Sequence, residues 1–231
     1  MSGEDRDFNR ELYPFLYASG EQNDAAIADA IREACASTRQ KCGDVVALRR
    51  QLRDEYSAGL VDAACAMAKA FRSGGKLLAF GNGGSATDAN DAAVDCLAPP
   101  VRHWRSLPAI SLCGDMGVVT GVANDVGFES AFSRQVTALG EPHDVALGFT
   151  TSGSSPSVLA ALREARRRRM LTVALSGYDG GAVFMSGAAD HCFIARLEYV
   201  PRIQEGHATV WHTLLELVHV ALGDEPLAWS A

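Results

Sequence analysis

Three short apolar runs in this chain each end in a turn built from glycine and small polar residues. Lys76-Leu-Leu-Ala-Phe80 leads into Gly81-Asn-Gly-Gly-Ser85, Asp144–Phe149 into Thr150-Thr-Ser-Gly-Ser-Ser155, and Leu171–Leu175 into Ser176-Gly177. Runs this short, bounded by turn residues, suit buried strands rather than buried helices. Ala109–Leu112 and His191–Ala195 add two more. The spacing predicts helices over Ser85–Leu97, where Pro99-Pro100 stops the pattern, over Ser155–Met170 and over Arg202–Leu222. Ahead of the first strand, Asp24–Arg72 is rich in alanine, and Leu48, Leu52, Tyr56, Leu60, Ala64 and Ala68 recur four apart, as on one helix face. Gly43 is expected to divide that stretch into two helices. Strands alternating with helices predict an α/β fold: a three-layer sandwich with a mainly parallel five-stranded sheet, helices on both faces and helices at the N-terminal side. In such sheets ligands bind beyond the carboxyl ends of the strands. The three polar turns would therefore share one edge.

A chain of 231 residues, 48% hydrophobic, fits one domain of substantial core. We place that domain at 25–231 and an arm at 1–24, where Phe8, Leu12, Tyr13, Phe15, Leu16 and Tyr17 form an apolar side and Gly20 ends it. The net charge of −7 shows no basic excess for nucleic acid, and Arg163 with Arg166–Arg169 suits a solvated helix end. No apolar run is long enough to span a membrane, and Met1–Arg10 is too polar for a signal peptide. Six scattered cysteines without a C-x-x-C pair read as reduced thiols of a cytoplasmic protein, most of them small core residues.

Two turns and one pair of helices carry the chemistry. In Gly81–Ser85, glycines allow close backbone approach, and the helix that follows offers free N–H groups to an anion. The turn lacks the Gly-Lys-Ser/Thr ending of a nucleotide-binding loop. Thr150–Ser155 places five hydroxyls and one glycine before Pro156 at a helix start. Capping needs one hydroxyl, not five, so this turn suits a neutral phosphate cradle. Asp88, Asp91 and Asp95, three and four apart, share a helix face, and Gln204, His207 and His212 lie on a partly polar flank of the last helix. These groups could bind a divalent metal, act as base and acid in proton transfer, or simply be solvated acids and hydrogen-bonded histidines.

Taken in order, Gly81-Asn-Gly-Gly-Ser85, Asn124-Asp125-x-Gly127-Phe128, Thr151-Ser152-Gly153-x-Ser155, Ser176-Gly-x-Asp-Gly-Gly181 and Arg202-Ile-Gln-Glu205 through His212 resemble the motifs of bacterial phosphoheptose isomerases, over roughly residues 40–222. The resemblance implies a sugar-isomerase (SIS) fold and conversion of sedoheptulose 7-phosphate to D-glycero-heptopyranose 7-phosphate. It also implies a homotetramer with active sites formed between subunits, and zinc. By position, Asn82, Gly83, Gly84 and Ser85 would line the sugar site with Asn124 and Asp125 nearby. Thr150, Thr151, Ser152 and Ser155 would hold the phosphate, and Gln204 and His212 would reach both metal and substrate. The family's metal-binding histidine is Asp91 here, its proton-abstracting glutamate is Asp95, and its aspartate before Arg-Ile-Gln is Pro201. A basic residue after the carboxylate helix is missing in place, with Arg102 or Arg105 as substitutes. A metal site of Asp91, Asp95, Gln204 and His212 would be richer in oxygen. Asp95 would take the proton and His212 would shuttle it, through an enediol. The alternative is a non-catalytic SIS module that binds a sugar phosphate and serves a partner protein or acts as a regulator; His212 and a carboxylate at Asp95 favour the enzyme.

Overall fold

A computed structural model describes residues 24–227 of the chain. The chain divides into two compact units, 1–43 and 44–231. The expected apolar side of the N-terminal arm lies outside the described residues. In the first unit, every side chain over 27–43 is exposed. Helix α1 (Asp24–Arg72) runs without a break through Gly43, where two helices were expected. A Cβ at Gly43 would meet nothing within 4 Å. An exposed glycine inside a helix costs only about 1 kcal/mol, too little to end it.

The second unit is built on five strands: β1 (Leu77–Gly81), β2 (Ala109–Ser111), β3 (Val145–Thr150), β4 (Leu171–Gly177) and β5 (His191–Ala195). Their order is β2-β1-β3-β4-β5, and all four pairings are parallel. Period-two alternation sends each strand's residues to two cores. Leu77, Ala79, Val145, Leu147, Val173 and Leu175 join one core with Leu48, Leu52, Leu60 and Ala64 of α1. The same layer receives α2 (Gly84–Leu97) and the last helix, α7 (Val200–Leu222). Leu78, Phe80, Ala146 and Ala174 face the other core, covered by α4 (Ala131–Leu139) and α5 (Pro156–Arg167). The predicted leucine row on α1 is buried, with Tyr56 half-buried.

Three helices lie where no element was expected: α3 (Met116–Asp125), α4, and the short α6 (Gly181–Met185). None of the residues of α3 is fully buried, although Met116, Val118, Val119 and Val122 lie on one side of it. All six cysteines are free, but only Cys96 is fully buried, and Cys35, Cys42 and Cys65 are exposed. Cys113 and Cys192 pack against the core, so half of the six are core residues where most were expected to be. No helix among the described residues is long and apolar enough to cross a membrane.

The strand order fixes where a ligand can sit. From β1 the chain moves outward to β2, then returns to β3 on the other side of β1. Turns after β1 and β3 thus part at a topological switch point, which opens a crevice at the strands' carboxyl edge.

Candidate active site

The two turns expected to bind phosphate flank that crevice and are joined by one side chain. Asn82 Nδ2 donates to Ser155 Oγ at 2.7 Å and to Ser157 Oγ at 2.9 Å. A cavity of about 390 Å³ opens there, lined by Asn82, Ser85, Thr150, Thr151, Ser152 and Ser155 among others. Ser85 and Thr150 are buried at its floor. Neither Gly83 before α2 nor Ser155 before α5 makes a side-chain cap, so the first N–H groups of α5 are not taken by one. Among the described residues, no lysine or arginine lines the cavity. Hydroxyls, main-chain N–H groups and a helix dipole would have to hold an anion here.

Each turn is backed by packing. Gly83 adopts φ 58° and ψ −125°, open to glycine. Gln204 lies against Gly84, where a Cβ would collide with its amide. The third turn buttresses the second: Val183 N–H donates to the Gly153 carbonyl at 2.8 Å, and Ala182 N–H to Ser154 Oγ at 3.2 Å. Ser157, not foreseen from the sequence, is buried beneath the cradle and completes the Asn82 bridge. Its one signal was a second serine just inside a helix start.

The carboxylates separate along α2. Asp88 sits near the Gly-rich turn, 3.4 Å from the Gln204 amide. Burial raises its pKa to about 6, a shift opposed by the Gln204 bond and reinforced by the Asp91 charge. Asp91 is exposed. Asp95, ten residues beyond Ser85, is about 15 Å along the helix from it. Its Oδ2 accepts from Trp211 Nε1 at 2.9 Å and lies 3.6 Å from His212 Nε2. The pair borders a second cavity of about 680 Å³, with Arg49, Trp104, Glu205 and Thr209 in its wall. The two cavities share no lining residue.

The structure thus joins Asn82, Ser85, Thr150, Thr151, Ser152 and Ser155 at one place and Asp95 with His212 at another. It does not bring Asn124 and Asp125 to either. Both are exposed at the end of α3, where Asn124 donates to Asp125 Oδ1 at 2.8 Å. Among the described residues, no three His, Cys, Asp or Glu side chains gather closely enough to hold a metal. Within one chain Asp91, Asp95, Gln204 and His212 therefore do not form a ligand set. Arg105 is engaged with Asp224 at 2.7 Å and is not available as the missing cation.

His207 is not on the polar flank with His212. It is 1% exposed, packed against the Phe149 ring, and neither ring nitrogen has a hydrogen-bond partner among the described residues. Burial lowers its pKa to about 4, and the nearby Ser176 main chain opposes this weakly without completing a bond. An unfolded histidine titrates near 6.5, so the folded state binds the proton less well than the unfolded state. Stability is full above about pH 6.5 and falls as pH drops towards 4, by about 3 kcal/mol in all. Urea melts from pH 7.5 to 4 are expected to show this loss in the parent and to lack it in His207→Leu. Equal slopes in both proteins would place the acid sensitivity elsewhere.

Comparison with known proteins follows the same outline. The SIS domain family model matches residues 42–177. The phosphoheptose isomerase of Pelobacter propionicus is 44% identical over 163 residues, which cover 71% of this chain and 85% of that protein. Among solved structures, the phosphoheptose isomerase of Francisella tularensis superposes with a TM-score of 0.76 at 30% identity, covering 81% of this chain and 98% of that one. The enzyme from Neisseria gonorrhoeae gives 0.73 at 31% identity with the same coverages.

Proposed function

The chain belongs to the SIS-domain family of phosphoheptose isomerases, and from that premise we propose that it is a sugar-phosphate isomerase whose substrate is sedoheptulose 7-phosphate and whose product is D-glycero-heptopyranose 7-phosphate. The observation that carries the substrate class is the uncharged cradle at the switch point, where two turns linked by Asn82 surround a cavity that no cationic side chain lines among the described residues. Such a site suits a phosphate ester, which main-chain N–H groups at a helix start can hold.

The phosphate would sit between Thr150 and Ser155, with Asn82 and Ser85 on the sugar. Asp95 would accept the proton from the carbon beside the carbonyl, leaving an enediol. His212 would carry a proton between the two oxygens and Asp95 would give its proton to the former carbonyl carbon, so that the carbonyl moves by one carbon and no net proton is lost. The cradle and Asp95 of one chain line separate cavities that share no residue, with about 15 Å along α2 between Ser85 and Asp95. We therefore propose that a second copy of the chain supplies Asp95 and His212 to the cradle, within a homotetramer. In support, Val94 and Leu97, which flank Asp95, are 57% and 52% exposed. Apolar residues at that level beside a working acid suit a surface covered by another copy.

Among the described residues, one chain does not gather a metal's ligands. A divalent ion, zinc first, stays a proposal, with Asp91, Asp95, Gln204 and His212 as its donors only if association of copies brings them together. The test is incubation of the protein with sedoheptulose 7-phosphate, before and after chelation and with zinc or manganese restored, with the aldoheptose phosphate followed by NMR. Turnover supports the isomerase; a cytoplasmic location is proposed separately, from the free cysteines. A rise in melting temperature with the sugar phosphate but no turnover under any metal would replace it by a binding module.

A further inference from the structure

Trp211 is 3% exposed and sits in the core between the sheet and the outer helices, among Ala92, Ala93, Leu214 and Leu215. An indole buried to this extent brings a polar N–H into an apolar setting, where it needs an acceptor. The acceptor here is Asp95 Oδ2, at 2.9 Å. His212 Nε2 is farther from the same oxygen, at 3.6 Å, and its side chain is 66% exposed. Among the described residues no group donates to the other oxygen, Oδ1. The carboxylate is thus held on one side by a rigid core residue and left open on the other.

We infer that Trp211 is a positioning residue for the Asp95 carboxylate, fixing Oδ2 so that Oδ1 faces the substrate. The inference rests on the assignment of Asp95 as proton acceptor. Its physical basis is that an acid works only within hydrogen-bond reach of the proton it takes, and that small displacements cost large factors in rate. Asp95 is a short side chain on a helix whose neighbours Val94 and Leu97 are exposed, so little else in this chain restrains it. The indole has two rotatable bonds, both locked by core packing, and so holds the acid at low entropic cost. As a neutral donor it orients the carboxylate without pairing it to a cation.

The experiment compares parent, Trp211→Phe and Asp95→Asn with protonated substrate and with substrate deuterated at the carbon that loses the proton. Trp211→Phe is expected to lower kcat about tenfold, to leave KM within about twofold, and to enlarge the isotope effect. The rise in melting temperature on adding sedoheptulose 7-phosphate should persist, showing a folded, binding protein. An unchanged kcat and isotope effect, or a fall in kcat that tracks loss of folded protein, overturns the inference. Where Phe does not fold, the benzothienyl analogue of tryptophan, with sulfur in place of the N–H, keeps the shape and removes only the donor. Parental turnover in Asp95→Asn would instead refute the proton-acceptor assignment, whatever the tryptophan variant does.

Discussion

Asp95→Asn is expected to lower kcat for the sugar phosphate by about a thousandfold, within the range a positioned general base contributes, and to leave KM within about twofold. The direction follows from where the residue stands. Asp95 lies away from the cavity that would grip the phosphate, so its loss removes chemistry and spares ground-state binding. Asparagine is the right replacement because its amide oxygen can still accept from Trp211 Nε1. Alanine would leave that buried N–H without a partner, at a cost of about 1–3 kcal/mol, and would confuse instability with inactivity. Asp88 is the rival base. It is half-buried, titrates near 6 because of that burial, and contacts Gln204 beside the Gly-rich turn. Rates for Asp95→Asn and Asp88→Asn, measured side by side, decide between them. A thousandfold loss confined to Asp88→Asn would move the proton transfer to the cradle of a single chain and remove the need for a second copy.

The sequence showed the sheet and its edge more fully than the helices that complete the molecule. Strands such as Val145–Thr150 are buried on both faces and so read as plain apolar runs, and the turns after them declare themselves through glycine and hydroxyls. Helix α3 was missed although Met116, Val118, Val119 and Val122 lie on one side of it; Gly117 and Gly121 lower its helix propensity. Gly43 misled because a helix tolerates an exposed glycine when its neighbours favour helix. At the site, hydroxyl-rich turns were legible as a cradle since capping could not account for them. The fate of the polar residues on α7 was not. His207 and His212 are five apart, so they project in different directions; one is sealed against Phe149 and the other meets solvent. Trp211 lies in the core, and its N–H reaches Asp95 across a helix pair that no local pattern encodes. Ordinary spacing rules see neighbours on one helix; the contacts that matter here join residues 116 apart.

Gly153→Ala is expected to damage the phosphate site more than any other single methyl group in the chain's turns. Gly153 adopts φ 64°, where an alanine is strained by about 1–2 kcal/mol. Strain is the lesser part. An added Cβ would land on the Gly180 carbonyl and lie 2.8 Å from the Gly181 nitrogen, both main-chain atoms that cannot swing aside. The second and third turns would have to part, breaking the bond from Val183 N–H to the Gly153 carbonyl and shifting the start of α5. A hydrogen bond to a charged group is worth about 1.5–3 kcal/mol, so losing two to the phosphate would raise KM by roughly a hundredfold or more. Destabilisation should reach about 3 kcal/mol. Gly187→Ala is the control: it shares the positive φ, at 59°, but its Cβ would meet nothing within 4 Å. It should show the conformational cost alone, with KM unchanged. If the two variants lose stability equally and both keep the parental KM, the third turn does not hold the cradle in shape, and the phosphate must be gripped from Asn82 and Ser85 instead.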